Sequence, residues 1–170
     1  MAKYLRNSVP MEHIYMPVSV ILSGWFYYQN IEDERSKMII KWVTPLMVIF
    51  SISNTLFIQD INTYPDNIMK VATLFNLIWG AVLLIQFLDI PASENVFKNP
   101  YFLVALGIVW FNIISSLYFF LTAFLTRNKI SPHLVSWLHY GSNYIYYIIL
   151  FVAMIFLRRK NNNHVREARI

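Results

Sequence analysis

The residues with the clearest potential for chemistry lie in SWLHYGSNYIYYIIL (136–150), a hydrophobic run that carries several polar side chains. Positions three and four apart share one face of a helix. Ser136, His139, Asn143 and Tyr147 would therefore form one polar stripe along a helix through this segment. An imidazole can take up a proton or ligate a metal, and an amide both donates and accepts hydrogen bonds. We interpret the stripe as a candidate binding face.

A second candidate lies near the N-terminus, in EHIYMPVSV (12–20). Glu12 and His13 are neighbouring ionisable residues, and Tyr15 follows them. Pro17 has no N–H with which to bond the carbonyl four residues back, which belongs to His13. The backbone is therefore predicted to be free for another partner just beside two ionisable side chains. This pattern indicates a polar site in the first helix.

The elements that must position these residues follow from composition. Of the 170 residues, 57% are hydrophobic and 14% are charged, whereas about 25% of an average soluble domain is charged. Uncharged runs fill residues 14–31, 42–59, 71–88, 99–126 and 134–157. About 20 apolar residues cross a bilayer as a helix. We therefore predict an all-α, polytopic integral membrane protein, a bundle of five transmembrane helices with short loops and no cleavable signal pattern.

The predicted helices begin at proline and capping residues. Proline suits the first helical turn, and Ser, Thr or Asn suits the cap before it. The chain shows this pattern at Ser8–Pro10, Thr63–Pro65, Asn99–Pro100 and Ser131–Pro132. The pattern predicts helices at about 9–29, 37–58, 64–88, 100–127 and 132–158. Residues 1–157 would form one transmembrane domain, and residues 158–170 a basic cytoplasmic tail.

The orientation is predicted from lysine and arginine, which are enriched on the cytoplasmic side. With five spans, nine of these residues fall on the C-terminal side and five on the other. The N-terminus is therefore expected outside and the C-terminus in the cytoplasm of a multi-pass protein of the plasma (inner) membrane. The loop QDINTYPDN (59–67) would then face outward, and EDERSK (32–37) would face inward.

Every predicted helix carries at least one Asn or His, and such side chains in a membrane normally face the bundle interior. The ligand-binding candidates are Glu12, His13, Tyr15, Asn54, Asn76, Asn112, Ser116, Ser136, His139, Asn143 and Tyr147. At roughly 1.5 Å per residue, the depths of His13 and His139 differ by only about 5 Å. We therefore predict that Glu12, His13, His139 and Asn143 converge in the outer half, giving a pH-sensitive contact. The alternative is that all these groups serve only as hydrogen bonds between helices.

The order of segments resembles a family of small, uncharacterised seven-helix membrane proteins of Bacteroidetes-type bacteria, which are similar to membrane sensor regions that precede some histidine kinases. The similar stretches are EHIYMPVSVILSGWFYY (12–28), ISNTLFIQDINTY (52–64), NPYFLVALGIVWFNIISSLYFFL (99–121) and HYGSNYIYYIILFVAMIF (139–156). The resemblance covers the last five helices, with the first pair absent, and implies no catalytic residues. No kinase module follows Ile170, so signalling is expected to pass through a membrane or cytoplasmic partner.

The motifs that would indicate an enzyme are missing from the sequence. It contains no phosphate loop, no H-E-x-x-H, no serine elbow and no cysteine. None of the five predicted spans carries Asp or Glu in its middle third, which argues against proton pumping and ion-coupled transport. We therefore expect a non-enzymatic, sensor-like or accessory subunit that binds a small or lipidic ligand in the outer half of the bundle. No cofactor, metal or nucleic acid is expected; the lipid bilayer is the expected environment, and oligomers are compatible with the sequence.

Two other functions remain open at this point. His13 and His139 could supply both axial ligands of a b-type haem in an electron-transfer complex, although Glu12 would be an unusual neighbour. Alternatively, the chain is a purely structural membrane subunit whose polar residues only hold five helices together. An absorption spectrum tests the first alternative, and the effect of His139→Leu on stability and on ligand response tests the second.

Overall fold

The structure, a computed structural model, describes residues 9–89, 95–131 and 133–167. This part of the chain is 89% helix and contains no strand, which confirms the all-helical prediction. The elements are α1 (Val9–Asn30), α2 (Glu34–Ser53), α3 (Asp66–Gln86), α4 (Pro100–Arg127) and α5 (His133–Glu167). A π-helical turn, Asn54–Ile58, continues α2, and short 3-10 turns lie at Phe87–Asp89 and Val96–Lys98.

Four of the helical segments are long and apolar enough to cross a membrane. They are Glu34–Ile58, Asp66–Asp89, Pro100–Thr122 and His133–Arg159. Helix α1, predicted as a fifth span, has 22 residues but is not one of these four. Glu12, His13, Gln29 and Asn30 give both of its ends a more polar composition.

The helix ends follow from local capping. Helix α2 begins at Glu34 instead of near residue 37, because the carboxylate of Asp33 accepts a hydrogen bond from the backbone N–H of Ser36 at 2.8 Å. Helix α4 begins at Pro100, where its start was predicted, and the Asn99 side chain accepts from the N–H of Tyr101 at 3.0 Å. These caps provide acceptors for N–H groups that the first turn of a helix leaves without partners.

Helix α5 is longer than predicted. It continues to Glu167, although the sequence pattern placed its end near residue 158 and assigned the following residues to a solvated tail. The extra segment RRKNNNHVRE contains neither Gly nor Pro, the residues that most often stop a helix. Charge alone does not end a helix, because Arg, Lys and Glu are good helix formers. The predicted start at Pro132 and residues 168–170 lie outside the described residues.

The chain divides into two compact units, residues 1–76 and 77–170. In the first unit, α1 packs antiparallel to α2, with Gly24 against Thr44. The ring of Tyr27 is fully buried there, packs edge-on against Phe75 and donates from its hydroxyl to the carbonyl of Asn76 at 3.1 Å. These contacts connect α1 to both α2 and the first half of α3.

The second unit is built on a hairpin of α4 and α5. The pairs Gly107–Ile149, Phe111–Tyr146 and Tyr118–His139 lie in contact. Their numbers rise along α4 as they fall along α5, so the two helices run antiparallel. This register brings His139, the most prominent polar residue of α5, against the second half of α4.

Large apolar side chains cover much of the outside of both units. Exposed examples include Trp42 and Phe57 near the two ends of the segment that α2 forms with the π-helical turn, and Leu134, Trp137 and Phe151 on α5. The Trp137 side chain, for example, is 74% exposed. Meanwhile His13, Asn54 and Ser115 are buried. The described helices therefore expose many large apolar side chains while burying several polar ones.

Candidate functional site

The first candidate site surrounds the imidazole of His13, which is only 4% exposed. Its Nδ1 lies 2.9 Å from the hydroxyl oxygen of Thr55, and its Nε2 lies 2.8 Å from the carbonyl oxygen of Thr63. A carbonyl oxygen can only accept, so Nε2 carries a hydrogen and donates it. The ring thus ties the start of α1 to the end of α2 and to the loop before α3.

A second set of hydrogen bonds lies in the same π-helical turn and the loop after it. The N–H of Gln59 donates to the carbonyl of Asn54, five residues back, at 2.7 Å. The Asn54 side chain donates to the Gln59 side chain at 2.8 Å and accepts from Asn67 at 3.2 Å, and Gln59 donates to the carbonyl of Tyr64 at 2.7 Å. We call His13, Asn54, Thr55, Gln59 and Thr63 the loop network. Because π-helical turns occur frequently at functional sites, the loop network is a candidate functional site.

Asp60 adds a negative charge beside the loop network. The backbone N–H and the side-chain amide of Asn62 lower the pKa of its carboxyl, and the positive charge of a protonated His13 contributes to the same shift. The carboxylate accepts from both Asn62 groups, at 2.7 Å and 3.0 Å. Asp60 is therefore held in its ionised form beside the loop network.

The second candidate site lies inside the hairpin of α4 and α5. The imidazole of His139 stacks on Tyr118 with ring centres 4.5 Å apart and contacts Phe111 at 5.7 Å. Phe111 in turn stacks on Tyr146 at 5.2 Å. These four rings form a continuous aromatic row along the interface of the two helices. Helix spacing puts Ser115 on the same face of α4 as Phe111 and Tyr118, and Ser142 on the same face of α5 as His139 and Tyr146.

Buried polar atoms beside this aromatic row have no hydrogen-bond partner. They are the hydroxyl oxygens of Ser115, Ser142 and Thr122 and the Nδ1 of His139. Ser115 and Ser142 are each only 4% exposed. An unsatisfied buried polar atom costs about 1–3 kcal/mol, so several such atoms in one hairpin indicate an arrangement that packing alone does not favour. We call Ser115, His139 and Ser142, with the aromatic row beside them, the hairpin site.

The remaining predicted site residues occupy varied environments. Glu12, Ser116, Ser136 and Asn143 are half-buried, whereas Tyr15 and Tyr147 are exposed. Asn112 is buried but donates within its own helix, to the carbonyl of Ile108 at 2.7 Å. The side-chain oxygen of Asn76 is buried without a partner.

The predicted meeting of His13 and His139 stays a prediction. The recorded hydrogen bonds of His13 lie within the first unit, and the ring contacts of His139 lie within the second. Each residue anchors a polar site of its own.

Sequence reasoning did not select several residues that form the two sites. Spacing alone did not indicate Thr55, Gln59 or Thr63, because they meet His13 or Asn54 only in the folded chain. In α4, Ser116 was selected, but the buried hydroxyl is that of Ser115. In α5, the stripe was drawn from His139 to Asn143, but the buried hydroxyl is that of Ser142. The stacking of His139 on Tyr118 sets which hydroxyls of the two helices are buried, and spacing alone does not predict it.

The geometry of the two sites bears on whether either could bind a metal ion or a haem. Among the described residues, no group of three or more His, Cys, Asp or Glu side chains is arranged to hold a metal ion. Both nitrogens of His13 already have protein partners, so a haem iron would have to displace one of them. Comparison with known proteins gave no match to a protein-family model, a curated protein sequence or a solved structure.

Proposed function

We propose that this chain is a non-enzymatic, receptor-like integral membrane protein that binds a small hydrogen-bonding molecule at the hairpin site. It has five spans, an outer N-terminus and a cytoplasmic C-terminus, the arrangement expected for the last five helices of the seven-helix proteins that the sequence resembles. The single observation that carries the binding proposal is the set of unpaired buried atoms of Ser115, His139 and Ser142.

The membrane location is supported by what the helices expose. Four helical segments have the length and composition of membrane spans, and their outward side chains include large apolar ones such as Trp42 and Phe151. In water, apolar surface costs about 25 cal/mol per Å², so extensive exposure of this kind is disfavoured. In a bilayer the same side chains contact lipid, and the few polar groups are expected to face protein.

Helix α1 is included as the fifth span because it follows α2 along most of its length. Gly24 meets Thr44 toward one end of the helix pair, and His13 meets Thr55 toward the other. This pairing along its length supports the proposal that α1 crosses the membrane beside α2. Its polar N-terminal end is accommodated because His13 is bonded to the loop that connects α2 and α3.

The hairpin site favours a particular chemistry of ligand. The hydroxyls of Ser115 and Ser142 can each donate and accept, and the Nδ1 of His139 can do either according to its tautomer. The rings of Tyr118 and Phe111 provide an aromatic wall, against which a flat or apolar body can pack. In the proposed orientation, His139 lies roughly 9 Å along α5 from its outer end. A small molecule with an apolar ring and one hydrogen-bonding group fits this combination.

Residues that serve binding often lower the stability of the fold, and the unpaired hydroxyls of the hairpin site have this property. Replacing an unpaired buried hydroxyl by an apolar group is expected to be neutral or stabilising. If Ser115 and Ser142 serve only packing, their unpaired hydroxyls bring no benefit. If they bind a ligand, the cost in stability is offset when the ligand is bound.

The proposal is tested with 4-fluorophenol as probe, using the full chain in lipid nanodiscs and ¹⁹F NMR. We expect saturable binding that is absent from empty nanodiscs and weaker for fluorobenzene, which has no hydrogen-bonding hydroxyl. The double substitution Ser115→Ala and Ser142→Ala should weaken 4-fluorophenol binding about tenfold, the loss of roughly 1.4 kcal/mol, without lowering stability. Ser116→Ala, the same change one position along α4, is the matched control.

Two outcomes would contradict the proposal. One is the absence of saturable 4-fluorophenol binding to the wild-type protein. The other is equal weakening by Ser116→Ala and by the double substitution. If the double substitution changes stability alone and leaves binding unaltered, the purely structural function is favoured instead. Transmission of the bound state through a membrane or cytoplasmic partner is part of this proposal.

A further inference from the structure

The hydrogen bonds that form around His13 depend on whether its imidazole ring is neutral or charged. Thr55 has one hydroxyl hydrogen, but its oxygen lies within hydrogen-bond distance of two groups that could receive it. The carbonyl of Ser51 lies 3.1 Å away, and the Nδ1 of His13 lies 2.9 Å away. The Nε2 of His13 must donate to the carbonyl of Thr63 in every case. The direction of the Thr55 hydroxyl therefore depends only on whether Nδ1 of His13 carries a proton.

Each protonation state of His13 gives Thr55 a different role. When the ring is neutral, Nδ1 is an acceptor, so the Thr55 hydroxyl donates to it and leaves the Ser51 carbonyl. When the ring is charged, Nδ1–H donates to the Thr55 oxygen, and the hydroxyl hydrogen is released to the Ser51 carbonyl. Only the charged ring satisfies all three short contacts at once.

We propose that His13 is a proton-binding site and that the bound proton sets the direction of the Thr55 hydroxyl. Uptake of a proton turns this hydroxyl from His13 toward the carbonyl of Ser51, and loss of the proton turns it back. This site is built from different residues than the hairpin site and does not depend on ligand binding there.

Charged and titratable groups near His13 define its electrostatic setting. Those on the elements around it are Glu12 on α1, Asp60 and Tyr64 in the loop, and Asp66 and Lys70 on α3. Among them, Asp60 has a recorded electrostatic interaction with His13. Burial opposes charge on the ring, whereas hydrogen bonds to charged donors are roughly twice as strong as neutral ones. The groups that can stabilise a charged ring here are the oxygens of Thr55 and Thr63 and the carboxylate of Asp60.

The position of Thr55 gives the proton a structural effect. Thr55 is the second residue of the π-helical turn, and Ser51 lies one turn before it in α2. A Thr hydroxyl that bonds the carbonyl four residues back alters the local bend of a helix. The carbonyl of Ser51 also accepts from the backbone N–H of Asn54 at the same turn. The proton on His13 therefore acts on the junction between α2 and its π-turn.

The Ser51 carbonyl can be observed alone, because Ser51–Ile52 is the only Ser–Ile pair in the sequence. Full-length protein in nanodiscs is labelled with carbonyl-¹³C serine and ¹⁵N isoleucine, and a second sample carries ¹⁵N histidine. Spectra are recorded from pH 8 to pH 5, the interval in which histidine changes charge. The His13→Gln substitution identifies the His13 signals among those of the four histidines.

We expect the chemical shift of the Ser51 carbonyl to change with pH, with the same midpoint as the chemical shifts of the His13 nitrogens. Thr55→Val removes the hydroxyl but keeps the shape, so it should abolish the pH response of Ser51. Thr55→Ser keeps a hydroxyl and should preserve the response. Thr73→Val, the same change at an α3 residue that bonds to neither nitrogen of His13, should leave it unaltered. In His13→Gln, which has no titrating group at this position, the Ser51 signal should not move with pH.

The proposal is overturned if His13 does not change charge between pH 8 and pH 5. It is also overturned if the Ser51 signal moves with pH equally in Thr55→Val and in the wild type. Should Thr55→Val fail to fold, the comparison of His13→Gln with wild type decides. A Ser51 signal that still moves with pH in His13→Gln would exclude His13 as the proton site.

Discussion

Gly24 of α1 lies directly against the side chain of Thr44 of α2, so that the two helices approach closely at this position. A Cβ atom added at Gly24 would overlap both Cγ2 and the hydroxyl oxygen of Thr44, and it would lie 3.1 Å from Cβ of Thr44. Small residues at such crossings are typical of membrane helix pairs. The contact therefore leaves no room for a side chain at Gly24.

Gly24→Ala is therefore expected to destabilise the first unit, by about 1–3 kcal/mol, the usual cost of overpacking. The second change Thr44→Ala removes the two atoms that overlap and should restore most of the loss. The free energy of unfolding in mixed SDS micelles measures both effects. Purely additive effects of the two substitutions would contradict the close contact.

The two glycines of the hairpin should respond differently to alanine. A Cβ at Gly107 would lie 3.2 Å from the side chain of Ile149 and 3.3 Å from that of Tyr146, whereas a Cβ at Gly141 would meet nothing within 4 Å. Gly107→Ala is expected to loosen the hairpin by roughly 1 kcal/mol, while Gly141→Ala should be neutral or slightly stabilising. Equal unfolding free energies for the two variants would refute the register of α4 and α5.

Tyr27 should contribute a hydrogen bond that its neighbour does not. Its hydroxyl donates to the carbonyl of Asn76 from a fully buried ring, while Tyr28 is 39% exposed. Tyr27→Phe is expected to lower the free energy of unfolding by about 0.5–1.5 kcal/mol, and Tyr28→Phe, the control, by less. The same SDS titration measures both, and a larger loss for Tyr28→Phe would be inconsistent with this packing.

Asp33 should make the start of α2 sensitive to acid. Hydrogen bonds from the side chain and the backbone N–H of Ser36 lower the pKa of its carboxyl from the usual 3.8. A depressed pKa in the folded state means that the stabilisation is present above the unfolded value and is lost as pH falls through the folded one. The wild type should therefore lose more stability between pH 5 and pH 2 than Asp33→Asn, since asparagine caps without a titratable group. Parallel circular dichroism melts in both forms would contradict this.

Local patterns account for the part of the fold that the sequence predicted. The all-helical class follows from long uncharged runs, and the start of α4 follows from Asn99–Pro100, because capping depends on residues adjacent in sequence. The end of α5 was predicted too early, because the basic residues after position 157 are typical of a solvated tail. Helix formation tolerates them, and the start of α2 shifted for a similarly local reason at Asp33.

The candidate sites depended on information that spacing does not contain. Positions three and four apart both share a face, so the sequence could not choose between Ser142 and Asn143 as partners of the His139 face. The packing of α4 against α5 makes that choice. Likewise, nothing near His13 in the sequence announces Thr55 or Thr63, which lie 42 and 50 residues away. Polar composition identified both histidines, but only the fold supplied their partners.

The unbroken course of α5 joins two environments with one stiff element. His139 stands near its first turns, and the same helix continues through Arg159 to Glu167. An α-helix rises about 1.5 Å per residue, so the backbone extends roughly 40 Å from the imidazole to the last described turn. A small rotation or axial shift of α5 at Tyr118 would therefore displace the helix backbone at its last described turn. The helix is in this sense a rigid rod that carries movement from the aromatic rings to its C-terminal end.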